Sequence, residues 1–396
     1  MKRGHVSSAI EVHATRKQPL GMPPARFLRD FWQKRPLLIR GAFPHFHNAI
    51  SPEDLAGLAC EEAALSRVVL HDVKRDRWTL RNGPFAESDF AKLPKTCWTL
   101  LVQDVDKWDM DVATLLDAFA FVPSWRVDDV MVSYATDGGG VGAHVDQYDV
   151  FLVQGRGKRR WRINTDPRAP KDFRDDAELK LLREFAPTHD WILEPGDALY
   201  LPPGVPHEGT SIGECMTFSV GMRAPSQAEL LLDFSEFLAE RLDESQRYSD
   251  PELHLSRHAG EIDAAALARV RTALPQFSRI DNAALLRWFG GFITRYRSGH
   301  SALPMARPLT AAQLAAKLPG VRLLRNPFSR FAWARHGRSA LLFVAGESHA
   351  CSVALAQALC ARREHAGAAL ARMGTHAHAT LEALVNAGHL RLITRR

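Results

Sequence analysis

The chain has 396 residues, 46% of them hydrophobic and 24% charged, the balance of a globular protein of two or three domains. That balance excludes a mostly disordered, coiled-coil or fibrous chain, and apolar runs such as Ala340–Ala345 fall far short of the ~20 residues of a membrane-spanning helix. The net charge of +6 is uneven: residues 301–396 hold 13 Lys+Arg against 3 Asp+Glu, or +10, leaving 38 against 42, or −4, for the remainder.

Residues 1–22 are polar and unpatterned, which predicts a loose arm, and they lack the apolar stretch of a secretory signal. Pro23–Lys34 reads as a helix and Leu37–Arg40 as a strand closed by Gly41. Ser51-x-x-Asp54 ahead of Leu55, Leu58 and Ala59 predicts a capped helix. Between Trp78 and Gly221 short β-prone runs recur: Cys97–Val102, Asp129–Tyr134, Val150–Gln154, Arg160–Ile163, Trp191–Leu193, Ala198–Leu201 and Met216–Val220. Strands at this spacing predict an all-β sandwich or barrel. Helical periodicity follows over Gln227–Arg241, Ile262–Leu274 and Asn282–Tyr296, with Trp288, Phe289 and Phe292 serving a core or a subunit interface.

A Pro-containing linker, Ser301–Pro308, leads to a helix at Ala311–Leu318 and strands at Val321–Leu324, Phe331–Arg335 and Ala340–Phe343. Helices at Ser352–Ala361 and Ala377–Ala387 and a last strand at Leu390–Thr394 complete a winged-helix-like order. Its basic charge points to nucleic acid or to a merely solvated surface. Five cysteines (Cys60, Cys97, Cys215, Cys351, Cys360) without a C-x-x-C pair read as free thiols of a reducing, cytoplasmic compartment.

One segment carries chemistry. Gly138–Gly142 is followed by His144-x-Asp146 and then by an apolar run, and a "PGDALYLPPGVPH" segment ends in His207. Two imidazoles and one carboxylate on one face hold Fe(II) while leaving positions open for oxygen and a co-substrate. At i and i+2, His144 and Asp146 project to one side of an extended strand, and His207 must come from its neighbour.

The segments "FWQKRPLLIRGAF", "GGGVGAHVDQYDVFLVQGRGKRRWRI", "LEPGDALYLPPGVPHEG" and "SVGMRAP" resemble the JmjC family of Fe(II)- and 2-oxoglutarate-dependent oxygenases, in particular the bacterial ribosomal oxygenases. The resemblance implies three parts: a mainly β double-stranded β-helix (cupin/JmjC) catalytic domain with an N-terminal extension over 1–224, an all-α homodimerisation region over 225–300, and a basic winged-helix-like domain over 301–396. It implies the metal triad His144, Asp146 and His207 and a peptidyl-arginine 3-hydroxylase acting on large-subunit ribosomal protein sixteen. Histidine hydroxylation, lysine demethylation, or a nucleic-acid-binding regulator with a ligand-sensing cupin remain alternatives. The basic C-terminal part is a candidate for RNA contact.

2-Oxoglutarate needs a cation inside the barrel, and a guanidinium meets a carboxylate in bidentate fashion. On a strand expected after a turn at Gly155–Gly157, alternation along Lys158-Arg159-Arg160 turns Arg159 away from its neighbours, and the family's basic residue, fifteen positions after its first metal histidine, also falls on Arg159. Ser133 and Ser219 offer hydroxyls to the same carboxylate or serve structure. For an arginine substrate Asp129 and Tyr148 are suitable types, with Asp128 and Asp149 as competitors and turns or salt bridges as the other use of such acids.

Overall fold

The computed structural model describes residues 10–243, 245, 247–251, 264–274, 280–295 and 302–394. The expected arm over 1–9, the start of the helix placed at Ile262, Tyr296 and Ser301 lie outside them. The described residues form two compact units, one up to Ala224 and one from Pro225 onward.

Eleven strands build the first unit: β1 (Glu11–His13), β2 (Leu37–Arg40), β3 (Ser66–Asp72), β4 (Arg77–Asn82), β5 (Trp98–Val102), β6 (Val127–Ala135), β7 (His144–Val145), β8 (Val150–Ile163), β9 (His189–Leu193), β10 (Ala198–Leu201) and β11 (Pro206–Met222). They join in one sheet of order β1-β2-β10-β8-β11-β6-β5-β3-β4, with β7 on β11 and β9 on β8. Part of the expected arm is therefore ordered: β1 pairs in parallel with β2, Val12 opposite Ile39.

Period-two alternation sorts the apolar residues onto two faces. Leu38, Val150, Leu152, Leu199 and Leu201 belong to one cluster with Trp161, Ile163 and Leu193. Leu37, Ile39, Phe151, Val153, Ala198 and Tyr200 belong to another, with Phe27 and Phe119. Phe27, from the helix Pro24–Asp30, sits 4.9 Å from the Tyr200 ring and 5.6 Å from that of Phe151.

The expected turn at Gly155–Gly157 is not a turn. β8 runs straight through it, and the irregularity lies in its register with β11, which shifts between Ile212 and Met216. Such a shift resets which residues face inward: Val150 and Leu152 face the inner cluster before it, Trp161 and Ile163 after it.

In the second unit helices at Gln227–Ala239, Ala264–Ala273 and Asn282–Thr294 precede strands at Val321–Arg325, Phe331–His336, Ser339–Val344 and Glu347–Cys351. Helices at Val353–Ala361 and Thr375–Asn386 and the strand Leu390–Thr394 follow, and Leu323, Leu342, Leu355 and Leu381 share their core. The boundary expected at 300 does not separate compact units: helix Asn282–Thr294 joins the C-terminal strands, with Thr294 Oγ1 accepting from Gly346 N at 3.1 Å. Trp288 and Phe292 are buried, with Phe234 4.5 Å from the Trp288 ring, and so serve the core, whereas Phe289 is half-buried. Among the described residues no helix is long and apolar enough to cross a membrane.

Candidate active site

The Gly-rich segment 138–142 turns the chain out of β6, and β7 ends after two residues. His144 stands on β7 in register with His207 of β11, which also faces Ile163 of β8. Asp146 lies past the end of β7 rather than on an extended strand, and its carbonyl accepts from Gly204 N at 2.8 Å. Its carboxylate still meets both rings. Nε2 of His144 is 3.9 Å from one oxygen, Nε2 of His207 is 3.6 Å from the other, and the ring centroids are 4.2 Å apart.

Nδ1 of His144 donates to the Gly142 carbonyl at 3.0 Å and Nδ1 of His207 to the Val205 carbonyl at 2.9 Å. A carbonyl only accepts, so each ring carries a proton on Nδ1, which leaves Nε2, on the carboxylate side, as the nitrogen able to bind a metal. Burial, then His144 beside it, lowers the pKa of His207 and keeps that ring in the neutral form a metal requires. One donor atom from each residue lies within 4.8 Å of the others, and among the described residues no other such cluster of three forms. Two neutral imidazoles and a carboxylate suit Fe(II) with open positions.

Arg159 is 3% exposed. Nη1 donates to Ser133 Oγ at 3.4 Å and Thr217 Oγ1 at 3.5 Å, Nη2 donates to the Gly209 carbonyl at 3.2 Å, and Nε has no partner. Among the described residues no carboxylate comes within ion-pair distance of it, whereas Lys158 pairs with Glu194 at 2.6 Å, Arg160 with Asp190 and Arg162 with Glu208. Burial lowers the Arg159 pKa. A buried cation without a counter-charge is costly, so the pocket suits an anion from outside the chain. A Cβ at Gly209 would stand 2.7 Å from Arg159 Nε and from the Trp161 ring, so only glycine leaves the guanidinium its space.

A sequence model of the JmjC domain matches residues 114–230, one of a ROXA-like winged helix matches 278–391, and one of an AraC-like ligand-binding domain matches 187–289. The chain is 37% identical to the ribosomal protein uL16 3-hydroxylase of Escherichia coli strain K12 over 308 residues, 76% of this chain and 81% of that one. It belongs to the ribosomal oxygenase family. A probable ribosomal oxygenase of Haemophilus influenzae is 38% identical over 239 residues, 60% of this chain and 57% of the relative. The structure of the E. coli ribosomal oxygenase YcfD in complex with cobalt and 2-oxoglutarate aligns with a TM-score of 0.77 at 33% identity, covering 94% of this chain and 99% of that one.

In this ribosomal oxygenase Thr217, which sequence reasoning missed, takes the place beside Arg159 expected of Ser219. Thr217 pairs across the sheet with Ser133 and Gln154, whereas Ser219 lies two pairs further on, opposite Met131 and Leu152. The available signal was the two-residue spacing of Thr217 and Ser219, which puts both on one face.

Asp129 is 4% exposed and accepts from Gln103 Nε2 at 2.6 Å and Asp104 N at 3.1 Å. Burial, then Asp104, Asp106 and Asp128, pushes its pKa up to about 8. Tyr148 is 42% exposed, and its phenol pKa is raised by burial, then by Asp146 and Asp129, which places all three in one electrostatic neighbourhood. Of the competitors, Asp149 is fully buried. Its carboxylate accepts from Tyr200 Oη at 2.6 Å, Gln33 Nε2 at 2.9 Å and Arg126 Nη2 at 3.2 Å, so it serves structure. The Asp128 carbonyl accepts from Lys107 Nζ at 3.3 Å.

Proposed function

We propose that the chain is an Fe(II)- and 2-oxoglutarate-dependent peptidyl-arginine 3-hydroxylase acting on large-subunit ribosomal protein uL16. The observation that carries this reading is the triad and a buried, uncompensated guanidinium lining one barrel, in a chain of this family. His144, Asp146 and His207 hold the metal, and Arg159 with Ser133 and Thr217 holds the distal carboxylate of 2-oxoglutarate. When bound, iron and 2-oxoglutarate supply the oxidation of an unactivated C–H bond by molecular oxygen, with release of succinate and carbon dioxide. The chain's own residues orient these groups and exclude water: Trp161 packs 5.0 Å from the Arg159 guanidinium, and Val150, Leu152 and Leu199 make the wall apolar.

Incubation with Fe(II), 2-oxoglutarate and large-subunit ribosomal proteins should add one oxygen to an arginine and release an equal amount of succinate. Oxygen on a histidine, or a methyl lost from a lysine, moves the activity to the histidine hydroxylase or lysine demethylase reading. No succinate at all leaves a ligand-sensing regulator.

Asp129 is the acid assigned here to the substrate guanidinium. With a pKa near 8 it is mostly protonated at neutral pH, and an entering cation favours its charged form. Affinity for the peptide should therefore rise as pH climbs through about 8. Asp129→Asn should remove this rise and raise the peptide KM while leaving that for 2-oxoglutarate alone. An unchanged peptide KM and pH profile removes Asp129 from the site.

A homodimer formed through 225–300 belongs to the same reading. Leu231 and Leu232 are 54% and 72% exposed, Leu267, Val270 and Leu274 are also exposed, and helices Gln227–Ala239 and Ala264–Ala273 bury no residue. Apolar faces of this kind seek a partner. Light scattering at micromolar concentration should give twice the chain mass, falling to one with Leu231→Glu and Leu232→Glu combined. A wild-type monomer rejects the dimer. The +10 module 301–396 is assigned to RNA contact, which salt-sensitive binding of ribosomal RNA would show and salt-insensitive or absent binding would refute.

A further inference from the structure

The segment 164–188 between β8 and β9 crosses the surface without a regular helix or strand. Its middle folds back on itself. Phe173 bridges Leu182, Arg174 N donates to the Leu181 carbonyl at 2.8 Å, and Arg183 N donates to the Asp172 carbonyl at 2.8 Å.

This fold-back touches the turn that precedes His144. Leu182 N donates to the Ala143 carbonyl at 2.8 Å, one residue before His144. Gly142, whose carbonyl fixes His144 Nδ1, has φ +76, and a Cβ there would lie 2.7 Å from Leu181 Cδ2 and 3.2 Å from the Trp78 ring. Trp78, on β4, stacks on His71 of β3 at 3.9 Å and 8°. The Gly142–His144 turn is thus gripped between the loop and the β3–β4 hairpin.

One side chain ties the two halves of the grip together. Arg174 reaches Asp76, in the β3–β4 turn, through Nη1 at 2.7 Å to the carboxylate and Nη2 at 3.1 Å to the carbonyl. The same guanidinium holds Asp176 at 2.8 and 2.9 Å, and Asp76 also meets His71 Nε2 at 3.1 Å. Among the described residues no other ion pair joins segment 164–188 to β3, β4 or the Gly-rich turn. The remaining pairs within it, Arg168–Asp166 and Arg183–Asp175, are local.

We propose that Arg174 is a positioning residue for the metal centre: by clamping the loop to Asp76 it presses Leu181 and Leu182 onto the Gly142–Ala143 turn and holds His144 in its ligating orientation. This rests on the triad reading above. Metal ligands lose affinity when the groups that orient them are released, and here the release would come from one removed tie rather than from a lost ligand.

The test titrates Co(II) into the metal-free full-length chain and follows visible absorption. Arg174→Met should weaken Co(II) binding about tenfold while the thermal melting of the metal-free protein stays near that of wild type. Asp76→Asn, which suits the left-handed backbone at φ 46, should do the same, and the double variant should be no worse than either single one. Arg168→Met, whose partner Asp166 is two residues away, should leave Co(II) affinity unchanged. With saturating Fe(II) the Arg174→Met enzyme should recover kcat and keep the wild-type KM for 2-oxoglutarate, because the clamp acts on metal retention alone. Wild-type Co(II) affinity in Arg174→Met overturns the clamp, as does additive loss in the double variant. If the wild-type chain itself binds no Co(II), it is the triad reading that fails.

Discussion

Alanine in place of His144 or Asp146 is expected to abolish succinate release and Co(II) binding in a protein that remains folded. Both side chains are about a fifth exposed and lie outside the apolar clusters, so their loss should change stability by less than about 1 kcal/mol. Metal affinity responds quite differently. It depends on three donor atoms gathered within 4.8 Å, and two remaining donors retain a divalent ion poorly. The Asp146 variant has a second consequence: it removes the only charged donor, leaving two neutral rings. Succinate produced at the wild-type rate by His144→Ala would exclude this triad. A cooperative thermal transition close to that of wild type, with no cobalt absorption, is the expected pair of results.

Arg159→Ala should separate function from stability. The guanidinium is buried with one orphaned nitrogen and, among the described residues, no carboxylate partner, so the protein bears its desolvation cost alone until an anion arrives. Losing the charged partner of a buried carboxylate typically costs about 2–5 kcal/mol, a rise of about thirty-fold or more in KM for 2-oxoglutarate. In the absence of 2-oxoglutarate the same variant should melt no lower than wild type, since the lost contacts at 3.2–3.5 Å are weak and the lost charge was uncompensated. Lys158→Ala and Arg160→Ala remove only surface pairs with Glu194 and Asp190 and should leave that KM near its wild-type value. A larger rise in KM from either of these than from Arg159→Ala would mean that the inward residue has been misassigned. A steep drop in melting temperature for Arg159→Ala without 2-oxoglutarate would mean that Arg159 is structural first.

The spacing His144-x-Asp146 and the turn-rich run into His207 were legible because a metal constrains side-chain types and chain direction together. Arg159 was legible from local alternation and from the position of the family's basic residue. Alternation from Lys158 and Arg160 gives its face, but counting from Leu152 would have put it outside, since the register shift between Ile212 and Met216 resets the inner face of β8. Asp149 and Asp129 look alike in sequence, and only the fold distinguishes them: Tyr200, Gln33 and Arg126 surround the first, Gln103 and three other acids, Asp104, Asp106 and Asp128, the second. β1 was invisible because three residues pairing with partners 27 positions away carry no periodicity of their own. β3 was missed as well, although Val68 and Val69 are buried in it, because its neighbours Arg67, His71 and Asp72 give it a mixed, polar reading.

The contacts around Asp149 bear on what can be inherited or transplanted as one piece. The JmjC match begins at 114, yet Tyr200 Oη accepts from Gln33 N at 2.8 Å and β10 pairs with Leu37, Leu38 and Ile39 of β2. A gene fragment starting at the match would leave β10 with an open edge, strip Phe27 from the Tyr200 and Phe151 rings, and deny the Asp149 carboxylate its Gln33 donor. Such a fragment should aggregate when expressed alone, even though every metal ligand and Arg159 lie within it. Recombination between relatives would then preserve the barrel only at crossover points upstream of β1 or after Ala224, so that β1, the helix Pro24–Asp30 and β2 travel with the chemistry.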